Sequence, residues 1–482
     1  MADSLEEPGE GATLGGLTVV SPVGYELGRN ARSRVSRAAQ AELADDGRNP
    51  LTLLAAADEQ RLPDLLPLRY ERMIASPFSF FRGAATVMAH DLALHPHSGL
   101  FVQAGGNAHL QNFGMSGTPD RRLVFDLNDF DETLEAPFEW DLKRLVSSVI
   151  LAARANRFKN GEATTAAASA AAGYRDAMND YATQRALEVW YDRIEVDDLV
   201  PLLKRGRSSV PTLQAVEKAR SRDHLSAAAK LTERVNGGWR LREDPPLLTH
   251  VTDSSDEGMD EELVRRCIRE YRQTLPADRR VLLDRYTFVD FARKVVGVGS
   301  VGSRCWVVLL AASPNDPLLL QIKEAGQSVL EWHLTPSPYR NAGQRVVEGQ
   351  RLIQAAPDVL LGWFRDPAAG HDYYVRQLWD AKGSFDTSTF DAPGLAKYSR
   401  LCGRVLARAH ARSGDPAAIA GYIGQNDRFD RSVVKFGQQY ADRTETDYAV
   451  LVEAVKSGAM PAPRLPAPPR AEARPFNGSL RA

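Results

Sequence analysis

Residues 294–310 read "KVVGVGSVGSRCWVVLL". Gly297, Gly299 and Gly302 form a GxGxxG cluster, with Ser300 inside it. That pattern has two usual settings, and the flanking residues decide between them. A dinucleotide-binding fold needs a strand, the glycines, then a helix. Here both flanks are rich in β-branched and aromatic residues: "YTFVDFARKVV" before the cluster and "SRCWVVLLAA" after it. Strand, glycines, strand is a hairpin. Glycines in its turn let backbone N–H groups approach a phosphate without interference from a Cβ. A tight hairpin with no ligand is the plain alternative. The P-loop pattern GxxxxGK[ST] is absent from the chain.

The next strand, "PLLLQIKEA", ends on Lys323, which can pair with phosphates; a solvated strand-end lysine is the alternative. The helix "NAGQRVVEGQRLIQAA" then offers Glu348 to hold that lysine, with Glu331 as second candidate. "DYYVRQLWD" reads as a strand leading to a hinge, and "GLAKYSRLCGRVLARAHARSG" as a helix. Residues 277–386 are therefore expected to form a small antiparallel sheet with one inserted helix.

Upstream, two short strands, "GLFVQAG" and "RRLVFDL", flank the loop "GGNAHLQNFG" at 105–114. "VFDLNDFDE" at 124–132 overlaps the second strand. A polar turn between strands is the plain alternative for this pair. Before them, residues 49–94 are mostly helical, with Ser76 as N-cap and Pro77 in the first turn. After them, "EWDLKRLVSSVILAARANRF", "GEATTAAASAAAGYRDAMNDYATQ", "LQAVEKARSRDHLSAAAKLTERV" and "DEELVRRCIREYRQTL" predict an all-helical block over 138–276.

The chain has 482 residues, enough for two lobes. A net charge of −2 gives no global field toward nucleic acid or a membrane. "RNARSRVSR" is basic but lacks aromatic interleaving, so it reads as a solvated helix. Cys267, Cys305 and Cys402 have no CxxC spacing, which fits a reducing cytosol. His90, His95 and His97 lack the company a metal site needs. The acidic, glycine-rich N-terminus is not a secretory signal, and no apolar run reaches bilayer length. A cytoplasmic protein is expected. Residues 1–18 and the Pro/Arg-rich 458–482 read as disordered ends.

Six blocks in order resemble a bacterial family known as domain of unknown function 2252. They are "RYERMIASPFSFFRGAA", "GNAHLQNFG", "FDLNDFDETLEAPFEWDLKRL", "QIKEA", "RVVEGQRLIQ" and "LARAHARSGD". The loop and its acids are similar to those of aminoglycoside phosphotransferases, a branch of the kinase-like fold. The resemblance implies a two-lobed α+β kinase-like fold in circularly permuted order. The nucleotide lobe would be 277–386, and the helical lobe would be built from 19–276 and 387–457. Permutation is cheap where cut point and termini lie in exposed loops.

That resemblance implies ATP and Mg2+ as ligands. Gly297, Gly299, Ser300 and Gly302 would cover the phosphates. Lys323, held by Glu348, would pair with them. Asn112 would be a magnesium ligand with Asp126, and Asp129 and Asp131 lie close enough to share or take that role. Asp141 resembles the helix aspartate that steadies the loop. His109 would be a loop-stabilising donor, a metal ligand or a catalytic group. Arg82, after the aromatic cluster of "SPFSFFRG", could reach a phosphate or follow a core-packing run.

The departure is Asn107, which stands where the family's loop carries its catalytic aspartate. An amide can orient a hydroxyl but cannot take its proton at neutral pH. Three explanations stay open: an engineered trap, a natural pseudoenzyme, or a neighbour such as His109 or Asp129 taking the proton. The expected activity is phosphoryl transfer from ATP to a small-molecule hydroxyl. The alternatives are a nucleotide-binding pseudokinase acting as a regulatory partner, or transfer of AMP from the same site.

Overall fold

The computed structural model describes residues 13–461 except 15–16, 204–208, 222–223, 251–260, 296, 298, 368 and 379–381. The fold is mixed α+β, with small sheets beside a larger helical part. Of the N-terminal arm, residues 1–12 and 15–16 lie outside the described residues, and β1 (Thr13–Leu14) pairs with β2 (Leu17–Thr18). Of the C-terminal tail, residues 462–482 lie outside them.

Several helices start where a polar side chain precedes a proline. Ser76 Oγ accepts from Ser79 N at 3.0 Å at the head of Pro77–Gly83. Asn49 Oδ1 accepts from Leu51 N at 2.9 Å at the head of Pro50–Asp58. Asp415 caps Pro416–Ile423 in the same way. The cap satisfies one orphan amide, and proline has none to leave unpaired.

The loop of interest sits between β3 (Phe101–Ala104) and β4 (Phe113–Gly117); β5 (Leu123–Leu127) and β6 (Leu134–Pro137) follow. β3 pairs with β6 and β4 with β5, both antiparallel. Straight after β6 comes the helix Phe138–Ala155, buried along nearly its whole length. The alanine-rich helix Asn160–Tyr181 crosses Ala392–Ala411 closely. A Cβ on Gly403 would lie 2.0 Å from Ala170 O, and one on Gly173 2.2 Å from Arg400 O. Both chain ends meet in this helical part: buried Arg48 bridges Asp91 at 2.6 Å and Asp447 at 2.8 Å.

The expected all-helical block over 138–276 is interrupted. β7 (Thr232–Val235) and β8 (Gly238–Leu241) form a hairpin, and β9 (Leu248–Thr249) follows. Asn236 and Gly237 turn it, with φ of 51° and 80°. This is the dipeptide that a two-residue hairpin turn favours, because both positions need positive φ. It overrides the helical reading of "LTERV".

The larger sheet adds β10 (Thr287–Lys294), β11 (Cys305–Ser313), β12 (Asp316–Glu324), β13 (Gly362–Arg365) and β14 (Asp372–Gln377). Its order is β13-β14-β12-β11-β10-β9, antiparallel throughout. Leu318, Leu320 and Ile322 of β12 share a core with Trp306 and with Cys267 and Tyr271 of the helix Glu261–Thr274. Leu319 belongs to the opposite face, with Val307 and Leu309. Strand alternation carries that second face on to Gln321 and Lys323. Lys323 stands opposite Cys305 on one neighbour and Tyr374 on the other.

Candidate functional site

The loop after β3 is held from below by Asp141. Gly105 N donates to Asp141 Oδ2 at 2.7 Å, and Gly106 N to Oδ1 at 3.0 Å. Gly106 has φ 76°, and a Cβ there would meet Glu132 O at 2.2 Å, so the loop needs glycine at this point. His410, from the C-terminal helix Ala392–Ala411, contacts Asp141 at 3.4 Å and Tyr174 Oη at 2.9 Å. One turn beyond Asp141, buried Arg144 donates Nε–H to Asn107 Oδ1 at 2.6 Å. Asn107 O in turn accepts from Asn112 Nδ2 at 2.7 Å. The helix start thus fixes both the backbone and the Asn107 side chain.

Two cavities meet at Asp129 and Ser300. One is lined by Asn112, Asp129, Gly297, Ser300 and Lys323, with Lys294 and Arg376 adding charge and Leu378, Lys382 and Gly383 at the sheet exit. The other is lined by Asn107, Arg82, Thr86, Asp129, Asp131 and Gly299, with Trp332 at its edge. Its volume is about 1030 Å³, open mouth included.

Lys323 is buried and pairs with Asp131 Oδ2, while also donating to Ser300 Oγ at 2.8 Å. Asp131 Oδ1 accepts from Tyr374 Oη at 2.8 Å. Burial pulls the Lys323 ammonium toward neutrality, but the Asp131 charge outweighs it and raises its pKa. Burial likewise pushes the Asp131 carboxyl up, and the Lys323 ammonium with its hydrogen bond holds it below the usual range. Asp129 has no ion pair among the described residues; burial followed by the Asp131 charge raises it, against the opposing charges of Lys323 and Arg376.

Several expected site residues are placed elsewhere. Asp126 lies inside the fold: Oδ1 takes Arg408 Nη2 at 2.5 Å and Leu127 N at 2.8 Å, and Oδ2 takes Ala355 N at 3.2 Å. It lines neither cavity; Asp129, just past the strand, lines both. Glu348 is not brought to Lys323 but pairs with Arg351 at 3.1 Å. Its helix, Ala342–Ile353, presents Arg345 to the loop instead, donating to Thr133 O at 2.7 Å and Asp131 O at 2.9 Å. Glu331 lies 3.8 Å from Arg345. His109 is buried beside Phe78, with Nδ1 unpartnered, and lines neither cavity. Burial, then the charges of Arg82 and Arg144, keep its ring neutral. Gly302 packs on Arg61, and its carbonyl accepts from Leu62 N at 2.8 Å.

The residues not anticipated are Asp131 as the partner of Lys323, Arg144 on Asn107, and Tyr374 with Arg376. Two periodicities point to them. Asp141 and Arg144 are three apart on one helix face. Tyr374 and Arg376 alternate on the strand that neighbours Lys323.

A family model described as "Uncharacterized protein conserved in bacteria (DUF2252)" matches residues 61–454. The chain belongs to the DUF2252 family. No match was found among curated proteins or among solved structures. The matched span of this DUF2252 protein includes every cavity-lining residue named above. Among the described residues no helix is long and apolar enough to cross a membrane. Nor do three or more His, Cys, Asp or Glu side chains gather there as a metal cage. Asn112 with one carboxylate, Asp129, is still a donor set of the kind magnesium uses when phosphates complete its shell.

Proposed function

We propose that this protein is an ATP- and magnesium-dependent phosphotransferase acting on a small-molecule hydroxyl, built on a circularly permuted kinase-like plan. The observation that carries this reading is one juxtaposition. Asn112 and Asp129 come from the first third of the chain, and Gly297, Ser300 and Lys323 from its second half; all line one cavity. Such a set supplies the parts phosphoryl transfer uses: a glycine turn, a phosphate-pairing lysine and a metal-holding amide and acid. Lys294, Lys323 and Arg376 would balance the triphosphate. Asn112 and Asp129 would hold magnesium, which when bound neutralises charge on the phosphates. Asn107, in the adjoining cavity, would meet the acceptor hydroxyl.

One observation favours a second reading, a nucleotide-binding protein with little or no turnover. Arg144 only donates, so the atom of Asn107 facing it is the oxygen. The amide keeps only N–H groups to offer, and no base stands at that position.

Calorimetry with ATP, with and without magnesium, tests both readings on this protein and on Asn107→Asp, followed by ADP release. Magnesium-dependent binding in both forms, with faster ADP release in the aspartate form, supports a phosphotransferase site impaired at its base. Binding without turnover in either supports the second reading. Absence of nucleotide binding in both forms rejects the cleft assignment.

A further inference from the structure

Arg82 is a cation of the cleft that burial disfavours, and the nearby Asp129 charge offsets that only in part. It sits in the last turn of Pro77–Gly83, whose Phe78, Phe80 and Phe81 are buried. The arginines beside it are committed. Arg61 donates to Val301 O at 2.7 Å, and Arg69 donates to Asp58 at 3.0 Å and to Gly83 O at 2.9 Å. Arg82 has no hydrogen bond or ion pair among the described residues, and its Nε is sealed from water. Three acids of the same wall are engaged elsewhere, Asp131 with Lys323, Glu132 with Val329 N at 2.8 Å and Glu324 with Arg304 at 3.1 Å; the fourth, Asp129, acts on Arg82 through its charge without a hydrogen bond to it.

A second observation points to the same place. Thr86, in the first turn of the next helix, Ala85–Ala93, lines this cavity, is 2% exposed, and its hydroxyl has no partner among the described residues. A buried hydroxyl and a partly desolvated guanidinium are each costly without an acceptor. Together with the Asn107 amide, whose oxygen is taken by Arg144, they make a donor-rich side of the cavity. An anionic oxygen is the group such a side recognises.

We propose that Arg82, Thr86 and the Asn107 amide form a subsite for an acidic group, carboxylate or phosphate, carried by the acceptor beside its hydroxyl. This rests on the phosphotransferase reading and narrows its substrate class to hydroxy acids and phosphorylated alcohols. The binding step itself needs no nucleotide.

The test is calorimetric titration of the full chain with glycerol 3-phosphate, glycerate and neutral glycerol, with and without saturating Mg-ADP. Binding of at least one acid and not of glycerol is expected, and which acid binds tells phosphate from carboxylate. Arg82→Gln should weaken that binding about 10- to 100-fold, the range for a hydrogen bond to a charged group. Thr86→Val, which removes only the unpartnered hydroxyl, should weaken it less and carries the same test should Arg82→Gln not fold. Acids that bind no better than glycerol, or equally well to the wild type and both variants, overturn the subsite. If Mg-ADP fails to bind while the acid binds through Arg82, the phosphotransferase reading falls and the anion subsite stands.

Discussion

Arg144 donates to Asn107 Oδ1 at 2.6 Å, and among the described residues it has no carboxylate partner. Its other contacts are Phe81 O at 2.9 Å, Met88 Sδ at 3.5 Å and the face of the Phe81 ring at 4.3 Å. Burial pulls its pKa down to about 10. The pocket under position 107 is therefore a buried cation facing a neutral oxygen. Asn107→Asp turns that contact into an ion pair already in hydrogen-bonding geometry. We expect the variant to be more stable at pH 7 by about 1–2 kcal/mol, the margin of a charged over a neutral hydrogen bond. Its folded carboxyl pKa should be depressed, so the gain holds above the unfolded value of about 3.9 and disappears as pH falls through the folded one. Thermal melts of both proteins at pH 7 and in acid check the sign. In the same variant, restored base assistance should raise ADP release by about 10²–10⁴-fold if the cleft transfers phosphate.

Asp126 and Asp129 separate a structural acid from one available to a ligand. Asp126→Asn leaves Arg408 buried with a weakened partner, and the loss should approach the ~3–5 kcal/mol of a broken buried pair. Asp129→Asn should do the reverse. The raised Asp129 carboxyl makes the fold lose stability as pH climbs from the ordinary carboxylate range toward its folded pKa. The amide lacks that penalty, so the melting temperature of the variant should gain on the wild type between pH 4 and 7. Magnesium-dependent ATP binding should survive Asp126→Asn in whatever fraction folds and fail in Asp129→Asn. Intact binding in the latter would remove Asp129 from the metal.

How much of this was legible in the sequence follows from which interactions are local. Ser76-Pro77 announced a helix start because a cap is satisfied within three residues. The strand–glycine–strand reading at 294–310 needed only alternation and the absence of a helix pattern. Asn236-Gly237 is equally local, but it follows directly on a stretch with helical periodicity that hides the turn. What composition cannot give is which acid answers which cation across the fold. Lys323 meets Asp131, far upstream, because β12 and β14 set its face and Arg345 ties the 131–133 backbone beneath it. The family resemblance put the metal acid at Asp126, near the end of an apolar strand. Arg408, from the C-terminal helix, claims it, and no local pattern announces that.

Arg48 ties the two ends of the chain together through Asp91 and Asp447, and its side chain is 4% exposed. Arg48→Met should cost about 3–5 kcal/mol, because Asp91 and Asp447 lose the cation that bridges them and only Arg443, 3.8 Å from Asp91, stays near. Replacing Asp91 and Asp447 by Asn as well should recover part of that loss. Denaturant melts of the single and triple variants measure it, and an Arg48→Met midpoint equal to wild type would mean that the pairing contributes nothing.

The Lys323–Asp131 pair is where stability and function pull apart. The lysine side chain is 5% exposed and the aspartate 26%, so solvent reaches one partner. Lys323→Met should therefore cost about 2–3 kcal/mol, short of the ~3–5 kcal/mol of a fully sealed pair. Without the ammonium, burial raises the Asp131 carboxyl, and the variant should lose further stability as pH rises through its new folded pKa. Wild type behaves oppositely: its depressed Asp131 loses the pair's contribution as pH falls through the folded value. Combining Lys323→Met with Asp131→Asn removes the uncompensated charge and should return most of the melting temperature. It should not return nucleotide binding, because Lys323 is the charge the phosphates would share with Asp131. A double variant that is stable and still binds Mg-ATP like wild type would take Lys323 out of the nucleotide site.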